Sequence, residues 1–365
     1  MISRIKVLSV VGARPNFMKV APIHRAMLEA ADLFEHHIVH TGQHYDQRMS
    51  DAFFADLDMP HPSWFLGVGS GSHAQQTARV MTGFEEVCQQ AQPDYVIVVG
   101  DVNSTIACAL VSVKMGIRTG HVEAGLRSND RAMPEEINRL ATDAIVDDLF
   151  VTEQSGYDNL VREGVAPSRI HFVGNTMIDS LHVALPRSRQ SPILATLGVQ
   201  PQSYLLVTLH RPSNVDDRQQ LTALMETMAH LSSEVPVVFP VHPRTRQHLS
   251  HWDIACPDGV IMIDPVGYID FVALVQGARC VVTDSGGIQE ETTALGIPCV
   301  TARTSTERPS TVELGTNVLV HPEQHAILHA VATILHGGAK RGTVPPLWDG
   351  HAAERIVGVL RSHYS

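Results

Sequence analysis

Acidic, basic and glycine residues gather in this sequence just after short apolar runs, where chemistry on an anionic substrate would need them. After "ARCVV" comes "TDSGGIQEE", Thr283 to Glu291. Ser285, Gly286 and Gly287 would leave backbone N–H groups at a helix start, where the helix dipole favours a phosphate. Glu291 lies six residues past Ser285, about 9 Å along a helix axis at 1.5 Å per residue. A carboxylate so displaced can accept hydrogen bonds from the hydroxyls of a ribose, so the stretch reads either as a nucleotide site or as a capped helix whose dipole tolerates acids.

Four other stretches share the pattern. "KVLSVV" runs into "GARPNFMK", where Arg14 and Lys19 flank a helix start opened by Pro15. Two cations there oppose the dipole; an anionic ligand resolves the conflict, and solvated surface cations are the alternative. "YVIVVG" runs into "DVNST", where Asp101 either does chemistry or supports a cap formed by Asn103 or Ser104. "GHVEAGLR" and "MPEEINR" supply Glu123, Glu135 and Arg139; the last two stand four apart, the spacing of a surface ion pair, and His121 is open to a structural reading. "YLLVTL" ends at His210 and Arg211, where a histidine can donate to a diphosphate, act as an acid, or simply satisfy a loop.

These residues need a frame that brings strand ends together. Short β-rich runs alternate with helical stretches such as 72–91, 134–147, 217–232 and 323–336, the signature of parallel sheets built from βαβ units. In the 134–147 helix, Ile137, Leu140, Ala141, Ala144 and Ile145 form an apolar stripe expected to face the core. The stretch 185–203, rich in Ser, Pro and Gln, interrupts the alternation and reads as a linker. The expectation is an α/β chain of two Rossmann-like, doubly wound domains, residues 1–185 and 186–349, with a C-terminal helix in 350–365 packing back on the first. In open α/β sheets ligands bind beyond the carboxyl ends of the strands, so a cleft lined by both domains is expected.

Composition narrows the function classes. A net charge of −11 argues against nucleic acid or an acidic membrane as partner, while leaving room for a local basic pocket. Five cysteines, an odd number without C-x-x-C spacing, point to a reduced, cytoplasmic setting. "MISRIKVLSVVG" is too short in its apolar part for a signal peptide, and no run reaches membrane-spanning length. His242 and His248 lack zinc spacing and no G-x-G-x-x-G occurs, so neither a metal nor a redox cofactor is expected.

The set "GARPNFMKVAP", "HTGQH", "GDVNST", "GHVEAGLR", "MPEEINR", "VGNTMID", "PVHPRT", "TDSGGIQEE" and "TERP", in this order across residues 12–309, resembles the non-hydrolysing UDP-N-acetylglucosamine 2-epimerases. The resemblance implies a glycosyltransferase-B type of fold, a homodimer, and interconversion of UDP-N-acetylglucosamine and UDP-N-acetylmannosamine for polysaccharide synthesis. It implies that Arg14, Lys19, Arg139, His210, Val266, Phe271, Ser285, Gly286, Gly287, Glu291 and Arg308 bind the UDP-amino sugar. Asp101, Glu123 and Glu135 would be the catalytic carboxylates, with His210 assisting. The sequence departs from the family pattern at Asn16, where many members carry Glu, at "HRPSN" in place of "HRREN", and in a shorter segment between "GLR" and "PEE". Gln43 and His44, near which some members bind an activating second substrate, remain. The same variants resemble relatives acting on UDP-2,3-diacetamido-glucuronic acid, and a glycosyltransferase of the same fold is a further alternative.

Overall fold

The computed structural model describes residues 4–42, 54 and 56–364; Gln43 and His44 lie outside them. By its internal contacts the chain divides into two compact units, Met1–Ser180 with Pro346–Ser365, and Leu181–Pro345.

The first unit holds a seven-stranded parallel sheet of order β3-β2-β1-β4-β5-β6-β7. Its strands are β1 Ile5–Val11, β2 Phe34–His40, β3 Trp64–Phe65, β4 Tyr95–Val99, β5 Arg118–Ala124, β6 Asp148–Val151 and β7 Ile170–Phe172. The crossovers are α1 Arg14–Leu28, α2 His73–Ala91, α3 Asn103–Lys114, α4 Pro134–Ile145 and α5 Gln154–Arg162, followed by α6 Thr176–Ser188. The central strand β4, "YVIVV", is buried at every position, as expected of a parallel strand covered on both faces. Strand order reverses direction between β1 and β4, so the loops that follow these two strands flank the switch point where ligands of such sheets bind.

The second unit repeats the plan with six parallel strands of order β10-β9-β8-β11-β12-β13. They are β8 Leu205–Thr208, β9 Val237–Pro240, β10 Val260–Ile263, β11 Cys280–Thr283, β12 Cys299–Ala302 and β13 Asn317–Val320. The helices are α7 Ile193–Leu197, α8 Pro212–Val215, α9 Arg218–Ser232, α10 Pro243–His251, α11 Tyr268–Gly277, α12 Gly286–Leu295, α13 Pro309–Glu313 and α14 Gln324–Thr333. Here the switch point lies between β8 and β11, whose following loops carry His210 and Ser285. The stretch read as a linker is partly helical, formed by the end of α6 and by α7.

The last helix, α15 Ala352–His363, packs against α1 in the first unit. Its first amides, Ala352 N and Ala353 N, donate to the two Asp179 carboxylate oxygens at 3.2 and 2.7 Å, and Trp348 Nε1 donates to the Thr152 carbonyl at 2.8 Å. Among the described residues no helix is long and apolar enough to cross a membrane.

One helix contradicts its sequence pattern. The apolar stripe of α4 turns largely away from the core: Ile137 is 43% exposed, Ala144 is exposed and Leu140 and Ala141 are half-buried, while Ile145, also half-buried, packs against the core. The helix buries Glu136, Arg139, Thr142 and Asp143 instead. Each of the three charged groups has ionic partners inside the unit. Polar satisfaction, rather than apolar burial, thus sets the rotation of α4.

Candidate active site

In the first unit the candidate residues sit on the loops after β1, β4 and β5 and at the start of α4. The β1–α1 turn is held by Asn16, whose Oδ1 accepts from Gly12 N and Ala13 N at 3.0 and 2.9 Å and whose Nδ2 donates to the Val99 carbonyl at 3.2 Å. Glutamate, common here in the family, could not make that last donation. Gly12 is required by close approach: a Cβ there would lie 2.4 Å from Ser104 Oγ. Arg14 begins α1; its side chain is outside the described structure.

Lys19 is not the solvated cation that its sequence position allows. It is 6% exposed and ion-paired with Glu123, itself 6% exposed. Glu123 lies at a bulge where the β5–β6 register shifts between Val122 and Ala124, and its φ of 75° is in the left-handed region. For a non-glycine residue that conformation costs about 1–3 kcal/mol and re-aims the side chain. The buried pair with Lys19 offsets the strain.

Asp101 follows Gly100, whose carbonyl takes a 2.7 Å hydrogen bond from His121 Nε2. His121 is fully buried, as its structural reading allowed, with Nδ1 2.6 Å from Asp143. Asp143 also accepts from Gly125 N and Arg127, so one buried group ties together the ends of β4 and β5. Burial alone would raise the Asp143 carboxyl; the His121 and Arg127 charges and the Gly125 amide outweigh it and hold it below the usual range. Neither Asn103 nor Ser104 caps α3. The N-cap is Val102, Asn103 binds Gln76 and His73, and Ser104 Oγ lies 2.7 Å from Thr41 Oγ1.

The expected Glu135–Arg139 pair does not form. Arg139 donates through Nε and Nη2 to Asp101 Oδ2 at 3.1 and 2.9 Å, and through Nη1 to Glu136. Glu136, not Glu135, turns inward, while Glu135 is half-buried without an ion pair to any described residue. Both glutamates stand at helical spacing from Arg139, so the sequence signal existed and the choice between them follows from which face of α4 is buried.

In the second unit the start of α12 carries the anion-binding features. Ser285 is the N-cap but makes no side-chain cap bond, and Gly286 and Gly287 open the helix. Gly286 is a contact requirement: a Cβ there would lie 2.4 Å from Arg308 Nη1. Arg308 is 6% exposed, with Nε 2.8 Å from Glu290 Oε1 and Nη1 2.5 Å from Glu307 Oε1. Glu307 also meets Arg303 at 2.8 Å and Arg211 at 3.4 Å. Burial alone would raise the Glu307 carboxyl; Arg308, Arg303 and Arg211 together hold it well below the carboxylate range. The free amides at the α12 N-terminus, with the guanidinium groups of Arg308, Arg303 and Arg211 gathered beside them, suit a diphosphate.

Glu291 is almost fully buried and accepts from Tyr268 OH at 2.9 Å. Burial pushes its carboxyl up to about 7, aided by Glu290 and opposed by the tyrosine hydrogen bond. His210 Nδ1 donates to Asp284 Oδ1 at 2.9 Å, which leaves Nε2 as the ring nitrogen for a ligand. Asp284, fully buried, also accepts from His210 N, Arg211 N and Asn214 Nδ2. Val266 and Phe271 are half-buried around the start of α11, against the core that contains Leu274 and Val281. Sequence reasoning missed Asp284, Glu290, Arg303 and Glu307. Asp284 directly follows β11 and could have been found by the strand-end rule; the others reveal themselves only through burial.

Asp148, His171 and His363 bring three potential ligand atoms together. The Asp148 carboxylate already accepts from Tyr95 OH at 2.8 Å and from two nitrogens of Arg118 at 2.9 and 3.2 Å. A guanidinium across the carboxylate disfavours a second cation there, and the group reads as a hub joining β6, β7 and α15.

Comparison with known proteins adds to this geometry. The family model described as UDP-N-acetylglucosamine 2-epimerase matches residues 26–361. The chain is 39% identical to the Methanocaldococcus jannaschii protein named UDP-N-acetylglucosamine 2-epimerase, over 98% of this chain and 99% of that one. The crystal structure of the M. jannaschii epimerase in complex with UDP-GlcNAc and UDP superposes with a TM-score of 0.91 at 38% identity, covering 98% of this chain and all of that one. The chain is also 41% identical to the Pseudomonas aeruginosa protein named UDP-2,3-diacetamido-2,3-dideoxy-D-glucuronate 2-epimerase, over 98% of this chain and 99% of that one.

Proposed function

The chain belongs to the UDP-N-acetylglucosamine 2-epimerase family, and from that premise we propose that it is an isomerase interconverting UDP-N-acetylglucosamine and UDP-N-acetylmannosamine. The observation that carries the reading is the pairing of two chemistries on one chain. Carboxylates paired with cations stand just after β4 (Asp101, half-buried) and near the end of β5 (Glu123, buried) in the first unit, and an arginine-flanked helix start follows β11 of the second.

The C2 hydrogen of the sugar is barely acidic until C1 gains oxocarbenium character. The C1–O bond therefore breaks with its electron pair leaving on UDP, whose charge Arg308 and the Gly286–Gly287 amides stabilise. Val266 and Phe271 flank the base, Glu291 takes the ribose hydroxyls, and His210 Nε2 meets the diphosphate. Arg14 and Lys19 are assigned to substrate binding from the first unit. A carboxylate removes the C2 proton to give the glycal, a proton returns to the opposite face, and UDP adds back to C1. Two faces require two proton carriers, drawn from Asp101, Glu123 and Glu135. One of them enters the step as the neutral acid that returns the proton, while another takes the C2 proton as a carboxylate; Lys19 and Arg139 favour the anionic form of Glu123 and Asp101 once each has given up its proton.

Incubation with UDP-N-acetylglucosamine in deuterated water, followed by NMR, tests this. Deuterium enters C2 and the manno epimer appears without an acceptor sugar. A glycosyltransferase gives neither, and a hydrolysing enzyme accumulates free UDP. The P. aeruginosa relative, 41% identical, favours a second reading in which the same elimination acts on UDP-2,3-diacetamido-glucuronate; presenting both sugar nucleotides separates the two.

The outward apolar face of α4 is part of the proposal. Ile137, Leu140 and Ala141 line a shallow surface groove with Arg131. Because the polar face of α4 is committed to Asp101, this face is free to pair with its copy across a two-fold axis, giving a cytoplasmic homodimer that supplies a manno precursor for polysaccharide.

A further inference from the structure

We propose that Glu136 is a positioning residue that sets how readily Asp101 takes up and releases a proton, acting through Arg139. The claim rests on the reading of Asp101 as a proton carrier, but its closing test does not depend on turnover.

An aspartate clamped by an arginine alone is a poor base, because the guanidinium stabilises its anion. Arg139 does not serve Asp101 alone. Two of its nitrogens reach Asp101 Oδ2, at 3.1 and 2.9 Å, and its third, Nη1, is bound to Glu136. Glu136 is 2% exposed and Arg139 is 2% exposed, whereas the Asp101 side chain is 28% exposed. The dry end of the guanidinium is thus neutralised and the solvent-facing end is offered to Asp101. Only Oδ2 is engaged by Arg139, so Oδ1 stays outside the clamp.

Glu136 is itself over-determined. Its Oε2 accepts from Ser128 N at 2.9 Å and Ser128 Oγ at 3.0 Å, and its Oε1 accepts from Asn129 N at 3.0 Å. With Arg139, four donors converge on one carboxylate. A glutamine has a single acceptor oxygen and would turn an NH2 group toward a donor. The shortened segment between "GLR" and "PEE" therefore ends in a loop whose amides fix Glu136, which fixes Arg139, which holds Asp101.

Other charged groups stand around Asp101, most of them paired elsewhere. Lys19 of α1, near Gly100, pairs with Glu123 of β5. His121 of β5, on the Gly100 carbonyl, is backed by Asp143 of α4. His73 of α2 reaches Asn103 of α3, and Glu135 stands at the start of α4. Arg139 reaches the Asp101 carboxylate through two nitrogens, so a change in its neutralisation is felt there.

The test is a titration of the Asp101 carboxyl by NMR in protein carrying 13C-labelled aspartate, assigned with Asp101→Asn. In Glu136→Gln the Asp101 transition moves to lower pH by about one unit, the effect of removing a nearby like charge. Glu136→Asp keeps the charge and leaves the transition near its wild-type position. Arg139→Lys, which cannot bridge both carboxylates, moves it the other way and gives the answer should Glu136→Gln fail to fold. Unmoved transitions in the foldable variants overturn the proposal. In parallel, the limb of the kcat–pH profile governed by Asp101 follows the same shift while KM changes little; a wild type that titrates as described yet shows no C2 exchange faults the epimerase reading and leaves the link through Arg139 standing.

Discussion

Replacing Gly286 with alanine isolates the role of Arg308. The backbone at 286 tolerates the change, since its φ is not positive, and alanine is favoured over glycine within a helix by roughly 0.5–1 kcal/mol. The new methyl would stand 2.4 Å from Arg308 Nη1, 2.8 Å from Cζ and 3.0 Å from Glu307 Oε1. Carbon–nitrogen contact near 3.4 Å is ordinary, so the guanidinium must retreat by about 1 Å. That movement disturbs the ion pairs of Arg308 with Glu290, 2.8 Å from Nε, and with Glu307, 2.5 Å from Nη1. A misplacement of about 1 Å in a group that stabilises a transition state costs on the order of 100-fold in rate, about 2.7 kcal/mol. Steady-state kinetics with UDP-N-acetylglucosamine, UDP affinity by calorimetry and thermal unfolding form the assay. The expected result is kcat/KM lower by about 100-fold, weaker UDP binding and a lower unfolding midpoint, because the roughly 0.5–1 kcal/mol helix preference of alanine does not offset disturbed buried ion pairs. Kinetics and UDP affinity within about two-fold of wild type, with the alanine verified, would refute the assignment of Arg308 to the departing UDP.

Other perturbations give separable outcomes. His40, His36 and His24 have depressed proton affinities, mainly through burial, His40 down to about 4. The first unit therefore holds its full stability above pH 6.5 and loses it as pH falls; His40 alone accounts for about 2 kcal/mol by pH 5, so denaturant midpoints of the first unit should drop between pH 7 and pH 5 and flatten in His40→Phe. Glu291 has the opposite sign, since a carboxyl raised to about 7 costs stability as pH climbs from 4.5 through 7. Glu291→Gln should stabilise the second unit by up to about 3 kcal/mol at pH 8, give no gain near pH 4.5, and weaken UDP binding measured by calorimetry. Ile137→Asp should convert the proposed dimer to monomer by light scattering with the far-ultraviolet circular dichroism unchanged, because the residue is 43% exposed in the single chain.

The alternation of strands and helices was legible because each parallel strand is a short apolar run bounded by polar turns, and the helices found at 73–91, 134–145, 218–232 and 324–333 lie where periodicity puts them. The two-residue strand β3 gives no such signal. Strand-end placement also located Asp101, Glu123, His210 and Ser285, since topology alone brings those positions to the edge of a sheet. What periodicity could not supply is the rotation of an element whose buried face is charged. The stripe Ile137–Leu140–Ala141 obeys the apolar rule, yet Glu136, Arg139 and Asp143 go inside because each finds enough partners there to offset its desolvation. The same reasoning explains Glu290 and Glu291, two acids in the first turns of a helix that faces anions. Glu290 neutralises Arg308 from behind, and Glu291 sits deeper, on Tyr268. Neither opposes a phosphate at the helix start, because both are held by partners away from it.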